Sequence, residues 1–284
     1  MTAILPELLK LRTAFLTKLK AEVLFEKTDK EGKKTNNLAD TSSRGSSAIA
    51  AKWGESIPGA YGTQAAEQTS GKKFDEAVAD FLKRGFTLFS GFRPGDWSWQ
   101  AEPIYQSDQY QHLAEVMAAL KDRPELKTVF GEEYLIKPDI VVRKVPVTPS
   151  ALGGRSGDVA LYSPFVQDAQ LAHGKPTLHA SISCKLTLRS DRAQNVRTEA
   201  LNLIRNRKGR TPIFVAVVAE PTPHRMASLA LGTGDLDCVY HAGLYELQRA
   251  VKEVGSEEQG ELLGDMVNGR RLRDLSDLVL DLAI

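Results

Sequence analysis

Residues 178–190, LHASISCKLTLRS, carry the clearest fold signal in the chain, because polar and apolar residues alternate along them. Successive side chains of a β-strand point to opposite faces of a sheet, so this alternation predicts a strand with one face on the core. The apolar face comprises Ala180, Ile182, Cys184, Leu186 and Leu188. The other face comprises His179, Ser181, Ser183, Lys185, Thr187 and Arg189. We expect this second face to present a row of polar groups to something other than the core.

Segments on both sides of this strand complete an α/β pattern. YLIKPDIVVRKV at 134–145 is rich in β-branched residues, which favour strands. IFVAVVA at 213–219 is apolar throughout, as expected of a strand buried in the centre of a sheet. A further strand is predicted near 235–240, and helices are predicted at 71–84, 108–121, 192–206, 242–254 and 269–282. This order indicates one sheet flanked by helices.

The length and composition are those of a folded globular protein, with 284 residues, 42% apolar and 26% charged. We predict a single domain over 1–284, with a helical and loop-rich N-terminal arm over about residues 1–60 packed on it. In this arm, residues 28–48 are rich in Lys, Asn, Ser and Gly and predict an irregular loop, for which a flexible linker is an alternative. Residues 146–176 predict a long excursion of a kind that is often functional.

The charge and the cysteine content exclude some classes of protein. A formal net charge of +1 argues against a polycation that coats nucleic acid, although it leaves room for a local basic cleft. The two cysteines, Cys184 and Cys238, predict a reducing compartment with no disulfide framework and no thiolate zinc site. Neither a signal peptide nor a membrane span is predicted, so we expect a cytoplasmic protein with no membrane partner.

Asp139, Lys185 and Glu199 are the candidate catalytic residues. Two neighbouring strands can bring a carboxylate and an ammonium group together, and Glu199 on the following helix would add the second carboxylate that a divalent cation needs. Hydrolysis of a phosphodiester uses such a cation, and a lysine beside it can orient the attacking water. Asp75 or Glu76 could add a further carboxylate. Taken singly, such residues more often belong to ordinary strands, solvated helix faces or helix starts whose dipole they stabilise.

Arg189, Asp191 and Arg192 are the candidate base-reading residues. Arg189 would share the polar face of the strand with Lys185, and the run continues into the next helix. Arginine can donate two hydrogen bonds to guanine and aspartate can accept one from cytosine, so the run could read a G·C-rich step in the major groove. The alternative is a surface turn with local ion pairs. The basic run RNRKGR at 205–210 could contact phosphates or form a solvated helix terminus.

Together these residues resemble the NgoMIV branch of the type II restriction endonucleases. Asp139 after Pro138, and the run Ser183-Cys184-Lys185, resemble the family's variant of the nuclease motif, in which Ser183 stands in the place of the usual acidic residue. Glu199 matches the replacement glutamate from the following helix. The resemblance extends to RSDR at 189–192, RNRKGR at 205–210, AEPTP at 219–223, LGTGDLDCVYH at 231–241 and MVNGRRLRDLSDL at 266–278.

The resemblance implies a restriction-endonuclease-like fold with a central mixed β-sheet, and Mg²⁺-dependent hydrolysis of double-stranded DNA with two Mg²⁺ ions per active site. It implies that Asp139 is a metal ligand, that Lys185 is the catalytic lysine and that Cys184 offers its main-chain carbonyl to a metal. Glu199 would be the relocated active-site acid and a metal ligand. Ser183 would belong to the catalytic motif as well.

The family's helix carboxylate, also a metal ligand, follows the pattern T-S-G-x-x-F, which is present here at 69–74. Asp75 matches that carboxylate, although the family has the longer glutamate there, and Glu76 could compensate.

For recognition, the resemblance implies that Arg189, Asp191 and Arg192 read an inner CCGG. Arg225 and Asp40 match the outer-pair contacts of GCCGGC readers, and Ser42 and Gln68 match supporting positions, the latter a minor-groove contact. Cleavage after the first G, with 5′ CCGG overhangs, is implied, as is a homotetramer of two back-to-back dimers. A palindrome suits such symmetry, because a dimer presents the same contacts to both half-sites. A prokaryotic cytoplasm and a cognate DNA methyltransferase are expected as well.

Two other functions stay open at this point. A structure-selective repair or recombination nuclease would share the sheet but recognise the shape of DNA rather than its sequence. A non-catalytic, sequence-specific DNA-binding protein would keep the recognition residues with a relict active site, and it is disfavoured because Asp139, Lys185 and Glu199 are all present.

Overall fold

A computed structural model of the chain describes residues 4–64, 67–92, 95–99, 101–121, 123, 125, 137–148, 175–232 and 234–283. Its helices are α1 (Ile4–Glu22), α2 (Arg44–Ser56), α3 (Glu67–Leu88), α4 (His112–Lys121), α5 (Ser190–Asn206), α6 (Pro223–Ala230), α7 (Leu244–Val254), α8 (Glu257–Asn268) and α9 (Leu275–Ala283). Its strands are β1 (Glu26–Thr28), β2 (Lys34–Asn36), β3 (Trp97–Ser98), β4 (Ile140–Lys144), β5 (Thr177–Lys185), β6 (Ile213–Val218), β7 (Cys238–His241) and β8 (Leu272–Asp274). Most of the predicted excursion over 146–176 lies outside the described residues.

Strands β3 to β8 form one six-stranded sheet in chain order, and β1 and β2 form a separate antiparallel hairpin. Strands β3, β4 and β5 pair antiparallel, whereas β6, β7 and β8 pair parallel. This mixed sheet with its flanking helices confirms the predicted α/β class. Strand β6 lies inside the sheet and is almost wholly buried, as its apolar sequence predicts. None of the described helices combines the length and the apolar character needed to cross a bilayer.

Contacts between residues divide the chain into two compact units. The first unit comprises Met1–Arg93, Ser183–Arg197 and Val215–Ile284. The second unit comprises Pro94–Ile182 and Thr198–Phe214. The single domain over 1–284 stays a prediction.

Helices α1 and α3 pack their apolar faces together in the first unit. Leu8 and Leu19 of α1 are buried, and the rings of Phe15 and Phe81 lie 5.3 Å apart between centroids. The apolar stripe of α3 is buried throughout and consists of Phe74, Ala77, Val78, Phe81 and Leu82. The helix predicted over 71–84 is therefore confirmed as α3, although it begins at Glu67, earlier than predicted.

Arg12 of α1 is buried, and its guanidinium contacts two buried carboxylates. Its Nε and Nη2 donate to the two oxygens of Asp274 at 2.9 and 2.7 Å, and its Nη1 and Nη2 donate to Glu246 at 3.1 and 2.6 Å. Burial alone would raise the pKa of Asp274, but the hydrogen bonds and charge of Arg12 outweigh burial and hold that pKa below its usual value. This network joins α1 to α7 and β8.

His241, at the end of β7, is fully buried and has both ring nitrogens engaged. Its Nδ1 accepts a hydrogen bond from the Gly243 N–H at 3.1 Å, so its Nε2 carries the proton and donates to the Glu220 carbonyl at 3.2 Å. The Trp53 ring packs edge-on against it, 5.5 Å away between centroids. Burial disfavours the charged ring and lowers the pKa of His241 to about 4.

We expect the free energy of unfolding to fall as the pH drops from about 6.5 towards 4, with His241 contributing about 3 kcal/mol of the loss. In this range the unfolded chain takes up a proton that the folded chain refuses, so acid favours the unfolded state. Urea unfolding at about pH 7 and about pH 5 measures the effect. His241→Asn, which keeps an acceptor for Gly243 but cannot ionise, should flatten the pH dependence. His224→Asn, whose side chain is 49% exposed in the wild type, is the control, and equal slopes in all three proteins would contradict the assignment.

The prediction of an irregular loop over 28–48 is wrong. These residues contain most of the β1–β2 hairpin and the start of α2. Asp29 closes the hairpin turn by accepting hydrogen bonds from the N–H groups of Glu31 and Lys33, both at 2.9 Å. Ser43 caps α2, because its side chain accepts from the backbone N–H of Ser46. Polar residues that resemble a linker in sequence here form a turn and a helix cap.

The prediction of one helix over 269–282 is also wrong in part. The segment divides into strand β8 and helix α9, because the N–H groups of Ser276 and Leu244 donate to Asp274 and hold the strand end in place. Helix α8 was not predicted, although it begins with a capping box in which Ser256 and Gln259 exchange side-chain and backbone hydrogen bonds.

In the second unit, residues 104–110 hold β4, β5 and α5 in place. The side chain of Gln109 donates to and accepts from the backbone of Leu178 in β5, at 2.8 Å in both directions. The Tyr110 hydroxyl donates to the Leu203 carbonyl of α5 at 2.9 Å. Arg143 of β4 is buried and donates to the Ser107 hydroxyl at 2.7 Å. One short segment therefore fixes two strands and a helix.

Candidate active site

The strands associated with Asp139 and Lys185 are neighbours in the sheet, as predicted. Strands β4 and β5 pair antiparallel, with Ile140 opposite Ile182. Asp139 directly precedes β4, and Lys185 is the last residue of β5. Strand β4 begins later than predicted, after Pro138, because proline has no N–H for a strand ladder.

The polar face of β5 differs from the prediction. Ser181 and Ser183 are buried, because an interior strand of an α/β sheet is covered on both faces, and Lys185 is half-buried. The strand ends at Lys185, so the prediction that Arg189 shares a strand face with Lys185 is wrong. Beyond the strand end, the Leu188 N–H donates at 2.8 Å to the Glu220 carboxylate and not to a neighbouring strand.

Glu199 lies on α5, the helix that follows β5. The buried face of this helix consists of Ala193, Val196, Ala200 and Leu203. Glu199 is half-buried beside that face, and it belongs to the second unit, as Asp139 does. Glu199 therefore does not lie on a fully solvated helix face.

Asp75 and Glu76 lie in the third turn of α3 rather than in the first turn of a helix, because the helix begins at Glu67. Stabilisation of the helix dipole therefore does not explain them, since that effect is confined to the first turn. Asp75 is half-buried, whereas Glu76 is exposed and lies 3.9 Å from Lys72 one turn earlier. Of the two carboxylates, Asp75 is the more enclosed.

The candidate residues for the inner bases gather at the start of α5. Arg189 and Asp191 are exposed, and the Arg189 carbonyl accepts from the N–H of Ala193 in the first turn. Arg192 donates through Nη1 to the Thr187 hydroxyl at 3.0 Å. The helix start therefore presents two arginines and one aspartate close together in sequence and on the same turn.

Three of the four candidate residues for the outer bases meet in the first unit. Arg225 on α6 forms an ion pair with Asp40, which precedes α2. The Ser42 hydroxyl donates to Asp40 at 2.6 Å and its N–H donates at 3.0 Å. The pKa of Asp40 is lowered, first by these bonds from Ser42 and then by Arg225. Gln68 lies near the start of α3, and its side chain lies outside what the structure describes.

A model of the NgoMIV restriction enzyme family matches residues 16–284 of this chain. The chain belongs to that family. The type II restriction enzyme NgoMIV of Neisseria gonorrhoeae is 44% identical to it over 228 residues, an alignment that covers 76% of this chain and 78% of that protein. This NgoMIV-family protein is a type II restriction endonuclease, a site-specific deoxyribonuclease with the restriction-endonuclease-like fold. The predicted family, fold and enzyme class are confirmed, which decides against the structure-selective nuclease and the non-catalytic protein.

The groups predicted to bind metal in this NgoMIV-family enzyme all offer oxygen atoms. They are the carboxylates of Asp139, Asp75 and Glu199 and the main-chain carbonyl of Cys184. Within the described ranges, no three Asp, Glu, His or Cys side chains form a cluster that could hold a metal ion by themselves. Mg²⁺ prefers oxygen ligands and is commonly held by one or two carboxylates together with waters and substrate phosphate. A sparse, all-oxygen donor set therefore suits Mg²⁺ better than a transition metal.

Sequence reasoning missed Glu220, which follows β6 and is completely buried. Its Oε2 accepts from the Leu188 N–H at 2.8 Å, and its Oε1 accepts from the Thr222 N–H at 3.0 Å. Burial raises the pKa of Glu220, and the hydrogen bonds and the charge of Arg225 offset this only in part. The available signal was an acidic residue almost directly after a wholly apolar strand, where a buried charge needs specific partners.

Proposed function

We propose that this enzyme recognises GCCGGC in double-stranded DNA and cuts after the first G, leaving 5′ CCGG overhangs. The ion pair of Arg225 with Asp40, together with Ser42, carries the proposal. Arginine can donate two hydrogen bonds to guanine and aspartate can accept one from the cytosine amino group, so this pair offers the groups that read one G·C pair. Both side chains are about one-third exposed, so DNA can reach them.

In this proposal, the residues at the start of α5 recognise the inner CCGG. Arg189 and Arg192 supply donors for guanines, and Asp191 supplies an acceptor for a cytosine. Their position on one helix start supports this role, since a helix can enter the major groove with its first residues towards the bases.

The proposed cleavage is Mg²⁺-dependent, with two ions per active site. When bound, Mg²⁺ would neutralise charge on the phosphate and lower the pKa of the attacking water. Asp139 and the Cys184 carbonyl would hold one ion, and Asp75 and Glu199 would complete the ligands for the pair. Lys185 would orient the attacking water and donate to a phosphate oxygen as negative charge develops.

Ser183 would serve at the position where a nuclease usually has an acid. A neutral hydroxyl brings no negative charge to a cation, so Glu199 on α5 would supply the missing carboxylate. The half-buried position of Glu199 supports this division of roles.

The proposed assembly is a homotetramer of two back-to-back dimers. A palindromic site has a two-fold axis, so a symmetric dimer can present the same readers to both half-sites and cut both strands. The proposed setting is a prokaryotic cytoplasm, beside a methyltransferase that modifies the same sequence. The two cysteines, Cys184 and Cys238, are buried and form no disulfide, which suits such a reducing compartment.

Arg189→Ala and Arg192→Ala should each reduce discrimination at the inner base pairs by about 1–3 kcal/mol. Each substitution removes donors to a guanine edge, so binding to the correct site should weaken more than binding to single-base variants. Binding constants at fixed salt for GCCGGC and for duplexes altered at one inner pair measure the difference. Arg205→Ala is the control, because Arg205 is exposed at the end of α5. It should either leave binding unchanged or weaken binding to all the duplexes equally. Equal weakening on all sequences by Arg189→Ala would instead identify a phosphate contact.

Sequencing the ends made from a DNA of known sequence tests the proposed site. We expect every cut to lie within GCCGGC, after the first G, and only when Mg²⁺ is present. Cuts at another sequence would overturn the proposed specificity, and cuts at a different position within GCCGGC would overturn the proposed cleavage point.

A further inference from the structure

Glu220 connects the two groups of candidate base-reading residues. Its carboxylate accepts one hydrogen bond from the N–H of Leu188, the residue directly before Arg189. It accepts a second from the N–H of Thr222, which precedes the helix α6 that carries Arg225. The same carboxylate lies 3.9 Å from Nη1 of Arg225. One buried group therefore touches both recognition segments.

Arg225 lies between two acids, with Asp40 on one side and Glu220 on the other. These acids differ in exposure, since the Asp40 side chain is 31% exposed and that of Glu220 is not exposed at all. A base can reach the partly exposed Asp40, whereas Glu220 is enclosed by the protein. The buried acid is therefore suited to hold the guanidinium when DNA competes for Asp40.

We propose that Glu220 is a positioning residue for sequence recognition, which fixes the start of α5 and the Arg225 side chain relative to each other. This inference rests on the proposed function, since it assumes that Arg189 and Arg225 read bases. The backbone of Glu220 is itself anchored, because its carbonyl accepts a hydrogen bond from the buried His241 at 3.2 Å. Glu220 is thus held through both its backbone and its side chain.

Stability gives no reason for a carboxylate at this position. A buried carboxylate loses its hydration, and here the balance of burial and hydrogen bonding raises its pKa. A group that costs stability and yet bonds to two recognition segments is better explained by the geometry that it imposes.

Glu220→Gln separates these roles, because the amide has almost the same shape but only one acceptor oxygen. Either Leu188 or Thr222 must then lose its acceptor and face an NH₂ group instead. We expect the cleavage rate at GCCGGC, relative to sites altered by one base pair, to fall about 10- to 100-fold. This loss of discrimination should be seen both for sites altered at the outer base pair and for sites altered at an inner base pair.

The matched variants are Arg225→Ala, expected to lose discrimination at the outer pair, and Arg189→Ala, expected to lose it at an inner pair. Only Glu220→Gln should affect both. Ratios of kcat/KM for the cognate duplex and for each single-pair variant are the measurement, with thermal unfolding followed in parallel.

Unchanged ratios in a folded Glu220→Gln enzyme would overturn the inference, whatever happens to its thermal stability. If Glu220→Gln does not fold, Glu220→Asp takes its place, because it keeps the charge but is too short to reach both N–H groups. If neither variant folds, the residue serves the fold and the positioning role is refuted. If the wild type cuts another sequence, the proposed specificity fails, and the same ratios measured on that sequence decide the role of Glu220.

Discussion

Lys185→Ala should slow DNA cleavage by about 10²–10³-fold or more while leaving specific binding intact. In the proposed mechanism, this lysine orients the attacking water and stabilises the charge that develops at the phosphate. Both interactions act in the transition state. Its loss should therefore affect the chemical step and not the affinity for DNA. Single-turnover cleavage of a GCCGGC duplex at saturating enzyme, together with gel-shift binding without Mg²⁺, measures the two effects separately.

Lys34→Ala is the control for this experiment, because the Lys34 side chain lies on the β1–β2 hairpin and is 83% exposed. It should cut at the wild-type rate. Asp139→Ala should abolish cleavage as well, since it removes a proposed metal ligand. A Lys185→Ala enzyme that cut at the normal rate would show that this lysine has no catalytic role.

Arg12→Ala should lower the free energy of unfolding by about 3–5 kcal/mol, because it leaves Asp274 and Glu246 buried without their cation. Urea unfolding at about pH 7 measures the loss. The difference in unfolding free energy between Arg12→Ala and the wild type should become smaller at acidic pH. Arg12 is what holds the pKa of Asp274 below its usual value, and stability of this kind is present above the ordinary pKa of an aspartate and is lost as the pH falls below it.

Arg249→Ala is the matched control, since Arg249 also bonds to Glu246, at 3.3 Å. Its side chain is 63% exposed, so water screens the pair and its removal should cost at most about 1 kcal/mol. Equal losses for the two arginine variants would mean that burial does not set the strength of the Arg12 network.

Much of the fold could be predicted from the sequence, because it follows from local periodicity. The alternation at 178–185 predicts β5, the apolar run at 213–219 predicts β6 and the apolar stripe from Phe74 to Leu82 predicts α3. These signals lie within one element and need no knowledge of its neighbours. Very short elements such as β1, β2 and β8 contain too few residues for a period to be recognised.

The site could be predicted only in part, for the same reason. Asp139 and Lys185 follow from a strand pattern and a family motif, but Glu220 does not. The partners of Glu220 are a backbone N–H in another segment and a guanidinium on α6, and neither leaves a mark in the residues around it.

The pairing of Arg12 with Asp274 also bears on the synthesis of the protein. The two residues are 262 positions apart in the chain. At a ribosome rate of about 5–20 residues per second, Arg12 waits roughly 10–50 s before its partner has been made. Until then the guanidinium lacks one of the two carboxylates that it contacts in the folded protein. The contact between the first helix and Asp274 therefore forms only after residue 274 has been synthesised.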